Sequence, residues 1–135
     1  MSLINQHQKS ATWFTVVGAC AAVTHYLVAV GLTHIINQHP AWCNLLGFMF
    51  AFPVSYIGHR KFSFPNQNAS NRQALPRFLS VALTGFIANQ GLVVLGLRYT
   101  SLPFWILLGI VMVVVALSTY LLSRYWAFKS SLPSP

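Results

Sequence analysis

Four long apolar segments, separated by shorter polar ones, dominate the chain. They cover residues 13–36, 41–58, 78–97 and 104–122, and each approaches the roughly 20 residues that a helix needs to cross a bilayer. Only helices and closed barrels satisfy their backbone hydrogen bonds in lipid, and uninterrupted apolar runs of this length favour helices. The first segment is too long for a signal peptide, so we expect a retained helix. The pattern predicts an all-α integral membrane protein with four transmembrane helices in one domain, residues 1–135.

The composition supports lipid as the solvent of this protein. Hydrophobic residues make up 56% of the chain and charged residues 6%, whereas soluble domains carry about a quarter charged residues. Asp and Glu are absent, which removes the paired carboxylates of general acid–base catalysis and the usual ligands of Mg²⁺ and Ca²⁺. The five histidines show no metal-ligand spacing with the cysteines. We therefore expect no enzyme activity, no cofactor and no metal, and the missing membrane acid argues against a cation or drug exporter.

The basic residues are distributed unevenly between the polar connections. Seven of the eight fall in the N-terminus, the middle connection and the tail, and the remaining one, Arg98, lies in an outer turn. By the positive-inside rule, both termini and the loop over 59–77 are cytoplasmic. Because these residues flank apolar spans instead of forming one basic face, we expect no nucleic-acid partner.

The second half of the chain repeats the first at a shift of about 64 positions. Tyr56 and Arg60 fall over Tyr120 and Arg124, and His25 falls over Asn89. Both halves begin and end on the cytoplasmic side in the predicted topology. The repeat therefore predicts two parallel helical hairpins related by a pseudo-twofold axis along the membrane normal.

Arg60 and Arg124 follow the second and fourth apolar segments and precede aromatic pairs. Two guanidinium groups placed symmetrically at the cytoplasmic end suit bidentate capture of phosphate. His59, Lys61 and Arg77 could extend the same basic entrance. The structural alternative is that the arginines reach the lipid headgroups while the aromatic residues form an interfacial belt.

His25 and Asn89 lie near the middle of their apolar segments at equivalent positions of the repeat. Polar groups are costly in hydrocarbon unless they are paired, so both are expected to face the bundle interior. One interpretation is that they hold the hairpins together by interhelical hydrogen bonds, and the other is that they form a polar spot along a translocation path. Three further polar residues could belong to either arrangement: Ser55, Gln90 and Thr119.

The motif that ends the second segment resembles the GtrA-like family of bacterial membrane proteins. The resemblance covers roughly residues 13–129 and is carried by Asn44-x-x-Gly47-Phe48, Ser55-Tyr56-x-Gly58-His59-Arg60-Lys61-Phe62-Ser63-Phe64, Arg77-Phe78 and Ser123-Arg124-Tyr125-Trp126-Ala127-Phe128.

The resemblance implies a function in cell-surface polysaccharide synthesis at the bacterial cytoplasmic membrane. We expect a flippase that moves a polyprenyl-phosphate-linked sugar, with a membrane glycosyltransferase as a further partner. Four short helices can hardly enclose a sugar path, so we also expect a homo-oligomer. The alternative is an accessory subunit that stabilises such a glycosyltransferase without transporting anything.

Overall fold

The computed structural model describes residues 3–65 and 70–122, and that part of the chain forms four α-helices. They are α1 (Leu3–Ile35), α2 (Pro40–Gly58), α3 (Asn71–Tyr99) and α4 (Phe104–Leu122). One π-helical turn, His59–Ser63, continues α2 directly. The described residues contain no strand, which confirms the all-α class.

Three helical segments are long and apolar enough to cross a membrane, namely Gln8–Ile35, Pro40–Ser63 and Asn71–Tyr99. In the described residues, the apolar part of α4 is shorter and covers Phe104–Ser118. The chain therefore has the helices of a multi-pass membrane protein. The crossing by α4 and the orientation of the helices stay predictions.

The predicted loop over 59–77 is helical at both ends, so this expectation was wrong in its extent. The π-helical turn occupies its first residues and α3 begins already at Asn71. Polar composition suggested a loop there, but a helix can continue past the hydrocarbon layer where water and headgroups solvate its polar side chains. The consequence is that Arg60 and Arg77 are both held on helical turns.

A short turn joins α1 to α2. Asn37 has φ of 47°, a left-handed conformation that Asn tolerates better than most residues. The Ala41 amide donates to His39 Nδ1 at 3.2 Å, and Pro40 occupies the first position of α2, where its missing N–H costs nothing. This capped turn makes α1 and α2 an antiparallel hairpin.

The helices contact one another in cyclic order, with α1 against α2, α2 against α3, α3 against α4, and α4 against α1. The interface of α1 with α2 is the most extensive. At Gly47 a Cβ atom would lie 2.7 Å from the His25 carbonyl oxygen, so only glycine permits this approach. The cyclic order is the arrangement that a duplicated hairpin predicts.

Buried positions recur at the spacing of the sequence repeat. Ala29 and Val93 are equivalent and fully buried, and Asn44 and Leu108 are equivalent and fully buried as well. Nearer the start of α3 this equivalence ends, because Val17 is 6% exposed and its counterpart Val81 is 74% exposed. The two hairpins therefore differ in which of their equivalent positions are buried.

Large apolar side chains cover the outside of the bundle. Leu27, Ile87 and Val113 are each more than half exposed, together with many other aliphatic and aromatic residues. Exposed apolar surface of this extent is costly in water and is typical of helices that face lipid.

Candidate functional site

One end of the bundle, which we call the basic end, consists of the last turn of α2, the π-helical turn His59–Ser63 and the start of α3. Here the Phe64 amide donates to the His59 carbonyl oxygen at 2.9 Å, a bond that spans five residues. Such turns are wider than α-helical ones and are frequent at functional sites. The turn carries Arg60 and Lys61, and α3 presents Arg77 to the same region.

His59 is buried and holds the π-helical turn in place. Its Nδ1 lies 2.9 Å from the Ser63 hydroxyl, and its ring stacks on Phe14 of α1 at 4.5 Å between centroids. The Ser10 hydroxyl donates to the Ser63 carbonyl oxygen at 2.6 Å. These contacts hold both ends of the turn, His59 and Ser63, against α1, and the backbone of Arg60 lies between them.

Two cavities meet at Arg60. The first, the arginine cavity, has a volume of about 270 Å³ and is lined by Arg60, Arg77 and mainly aromatic or aliphatic side chains. The second, the lysine cavity, has a volume of about 490 Å³ and is lined by Arg60, Lys61 and Asn71. With His59, which also lines the arginine cavity, the structure brings four of the five predicted phosphate-binding residues to one place. Paired guanidinium groups beside an ammonium group can hold a phosphate oxyanion.

A buried polar network crosses the middle of the bundle. Asn44 Oδ1 lies 2.8 Å from His25 Nε2, and Asn44 Nδ2 donates to Asn89 Oδ1 at 2.9 Å and to Gln90 Oε1 at 2.7 Å. Gln90 Nε2 in turn donates to the Ala41 carbonyl oxygen at 3.0 Å. Asn44 therefore joins α1, α2 and α3 through one side chain.

The network also assigns the proton of the His25 ring. A carbonyl oxygen only accepts, so Ala41 orients the amide of Gln90 with its oxygen toward Asn44. Asn44 must then present its NH₂ group to Gln90 and its oxygen to His25. His25 consequently donates from Nε2 in this assignment, which rests on the hydrogen-bond partners.

His25 and Asn89 do not bond to each other but line a common cavity. This mid-bundle cavity has a volume of about 210 Å³ and is walled further by Gly85, Met112 and Ala116. Ser55 lines a neighbouring cavity of about 220 Å³ together with His25. Along α3, the lining of the mid-bundle cavity begins at Ala82, directly after Val81 of the arginine cavity. The two cavities are therefore consecutive along one helix.

Two predicted site residues have no described side-chain position. Arg124 lies outside the described residues, and for Thr119 only the backbone of α4 is described. The predicted pairing of Arg60 with Arg124 therefore stays a prediction. Within the described part, the second guanidinium group beside Arg60 is that of Arg77.

Sequence reasoning assigned no role to Asn44, the central residue of the polar network. A usable signal was present, because Asn44 is an amide inside an apolar segment and is fully buried. Its repeat equivalent is Leu108, so a search for paired polar positions passed over it. Tyr56 was also missed as a wall of both cavities at the basic end, where its hydroxyl donates to Asn71 Oδ1 at 2.8 Å.

Comparison with known proteins identifies the family. Residues 13–128 match the family described as GtrA/DPMS, transmembrane domain. A search of curated proteins and a search of solved structures each found no match. The match covers most of the chain and nearly coincides with the stretch over which the sequence motifs carry the resemblance. The chain belongs to the GtrA/DPMS transmembrane-domain family of membrane proteins.

Proposed function

We propose that this protein translocates a polyprenyl-phosphate-linked sugar across the bacterial cytoplasmic membrane and acts as a carrier, not an enzyme. Family membership supports a membrane protein that takes part in lipid-linked sugar processes. The basic end, assigned to the cytoplasmic side by its charge, captures the phosphate of the lipid.

The observation that carries this proposal is the order of the cavities along α3. Arg60 and Arg77 line the arginine cavity, and the next cavity toward the middle of the bundle is lined by His25 and Asn89. A lipid-linked sugar needs an anion site where it enters and polar partners where its hydroxyl groups pass through hydrocarbon. Residues of both kinds line consecutive cavities, which supports the proposal.

Two features bear on how the sugar passes. Val81 and Ala116 are exposed on α3 and α4, and Ala116 also lines the mid-bundle cavity. Within the described residues, the arginine cavity and the mid-bundle cavity are too small to form a wide channel. We propose that the sugar moves along this exposed face of α3 and α4 while the polyprenyl chain stays in lipid, and that a second copy of the chain covers the face.

The accessory-subunit alternative also has an observation in its favour. In the described residues, no buried side-chain nitrogen or oxygen lacks a hydrogen-bond partner. A closed network of this kind suits a protein whose only task is to hold a membrane glycosyltransferase. Transport itself must therefore be measured.

The test is reconstitution of the purified protein in liposomes that contain a polyprenyl-phosphate hexose. An impermeant reagent that oxidises sugars reacts only with headgroups in the outer leaflet. If the protein translocates the lipid, the protected inner fraction becomes reactive with time. An accessory protein would leave the protected fraction unchanged, as empty liposomes do.

A further inference from the structure

Arg60 lines both cavities of the basic end. Tyr56, Arg60 and Phe64 belong to the lining of the arginine cavity and of the lysine cavity alike. These side chains therefore form the boundary between two separate spaces. A ligand whose phosphate meets Arg60 can extend into both.

The two cavities differ in the chemistry of their remaining walls. The arginine cavity is completed mainly by hydrocarbon from Ala74, Phe78 and Val81 beside Arg77. Val81 is 74% exposed on the outer surface of α3, so this cavity reaches the lipid-facing side. The lysine cavity is completed by the ammonium group of Lys61 and the amide of Asn71, beside the apolar side chains of Ile57 and Pro65.

A phosphodiester has two arms that leave the phosphorus in different directions. In a polyprenyl-phosphate sugar, one arm is an isoprenoid chain and the other a polyhydroxylated ring. The transfer of an apolar group from water into hydrocarbon lowers the free energy, whereas the transfer of a hydroxyl group raises it unless the hydroxyl finds a hydrogen-bond partner. The two cavities that meet at Arg60 therefore correspond to the two arms of such a lipid.

We propose that the two cavities hold the two arms of one lipid. The phosphate lies on Arg60, the first isoprene units lie in the arginine cavity against Phe78 and Val81, and the sugar lies in the lysine cavity beside Lys61 and Asn71. This inference rests on the proposed function and adds the orientation of the substrate. It makes Asn71 and Lys61 the contacts that distinguish a sugar-bearing lipid from its sugar-free counterpart.

The experiment fills one cavity at a time and measures two lipids. Ala74 lines only the arginine cavity and Ile57 lines only the lysine cavity among the described cavities. Each is replaced by Trp, with Leu75→Trp as the control, because Leu75 is the chain neighbour of Ala74 and lines neither cavity. Dissociation constants are measured in nanodiscs for a polyprenyl phosphate, for the same polyprenyl phosphate carrying a hexose, and for phosphatidylglycerol.

The expected results differ between the two cavities. Ala74→Trp should weaken the binding of both polyprenyl lipids by a similar factor, about tenfold if roughly two methylene groups lose their burial. Ile57→Trp should weaken the hexose lipid alone and leave the polyprenyl phosphate at its wild-type dissociation constant. Leu75→Trp should change neither. Melting temperatures are measured for all variants, and Ala74→Leu and Ile57→Phe repeat the test with smaller side chains if a Trp variant unfolds.

Other outcomes separate this inference from the function on which it rests. Equal weakening of both lipids by Ile57→Trp, loss of the hexose lipid alone with Ala74→Trp, or no effect of either variant overturns the orientation while leaving translocation intact. If the wild-type protein binds neither polyprenyl lipid more tightly than phosphatidylglycerol, the orientation and the proposed function both fall.

Discussion

Asn44 and Gln90 bond across the interface of α2 and α3, with Asn44 Nδ2 donating to Gln90 Oε1 at 2.7 Å. Through the Ala41 carbonyl this contact fixes the orientation of both amides. It thereby makes Asn44 the acceptor for His25 and the donor for Asn89. One side chain from the first repeat thus pairs the two polar positions that the duplication places in the middle of the bundle.

Replacement of Asn44 by Leu should destabilise the bundle. The change removes the hydrogen bonds of Asn44 to His25, Asn89 and Gln90, and each lost interhelical bond costs about 0.6 to 2 kcal/mol. The melting temperature in detergent should fall clearly below that of wild type. Thr24→Val is the matched control, because Thr24 is only partly buried and its hydroxyl donates to the Cys20 carbonyl of its own helix. Equal melting temperatures for the two variants would contradict the network.

His25→Leu and Asn89→Leu separate a structural role of the mid-bundle pair from a transport role. If the pair serves only to hold the helices, both variants should melt earlier and transport normally per folded molecule. We predict that they also slow translocation, because both side chains line the mid-bundle cavity. Melting temperature and lipid translocation are measured on the same preparations. Unchanged melting temperature and translocation would mean that His25 and Asn89 do not face the interior of the bundle.

Gly47→Ala should be among the most damaging small substitutions in the chain. The new methyl group would lie 2.7 Å from the His25 carbonyl oxygen and 2.9 Å from Ala29 Cβ, and backbone atoms cannot rotate away. We expect a loss of about 1–3 kcal/mol, typical of overpacking. At Gly18 a Cβ atom would meet nothing within 4 Å, so Gly18→Ala should be neutral or slightly stabilising through helix propensity. Melting curves of the two variants test this contrast.

The orientation of the bundle can be checked by cysteine labelling. In a protein with Cys20 and Cys43 replaced, an impermeant thiol reagent added outside intact cells should label a cysteine at Gln38 or Ser101. A cysteine at Ser70, between the hairpins, should react only after the cells are opened. This expectation follows from the uneven distribution of Lys and Arg. External labelling at Ser70 would reverse the assignment of the basic end.

Helix positions could be predicted from the sequence because lipid leaves few choices for an apolar segment. The predicted segments 41–58 and 104–122 nearly coincide with α2 and α4. Polar extensions were not predictable in the same way, since residues beyond the hydrocarbon layer carry no hydropathy signal. The start of α1 at Leu3 and of α3 at Asn71 were missed for this reason.

The site was predictable in its residue types but not in its pairings. Repeat symmetry placed His25 and Asn89 inside the bundle, and both are buried there. The side chain that connects them, Asn44, breaks that symmetry and could be assigned only from packing. The neighbourhood of Arg60 and Arg77 likewise depends on where α2 and α3 come together, which periodicity within one helix does not reveal.

In the proposed function, Arg60 holds the phosphate of the lipid during its translocation. The most direct measurement is the translocation rate of a polyprenyl-phosphate hexose in liposomes that contain Arg60→Lys, with Arg72→Lys as the control. Arg72 lies at the start of α3, near the basic end, but lines neither of its cavities. Because Lys keeps the charge and loses the bidentate fork, Arg60→Lys should slow translocation by about tenfold or more, as expected for the loss of one charged hydrogen bond. Arg72→Lys should match wild type, whereas a wild-type rate for folded Arg60→Lys would show that the guanidinium fork of Arg60 does not hold the phosphate.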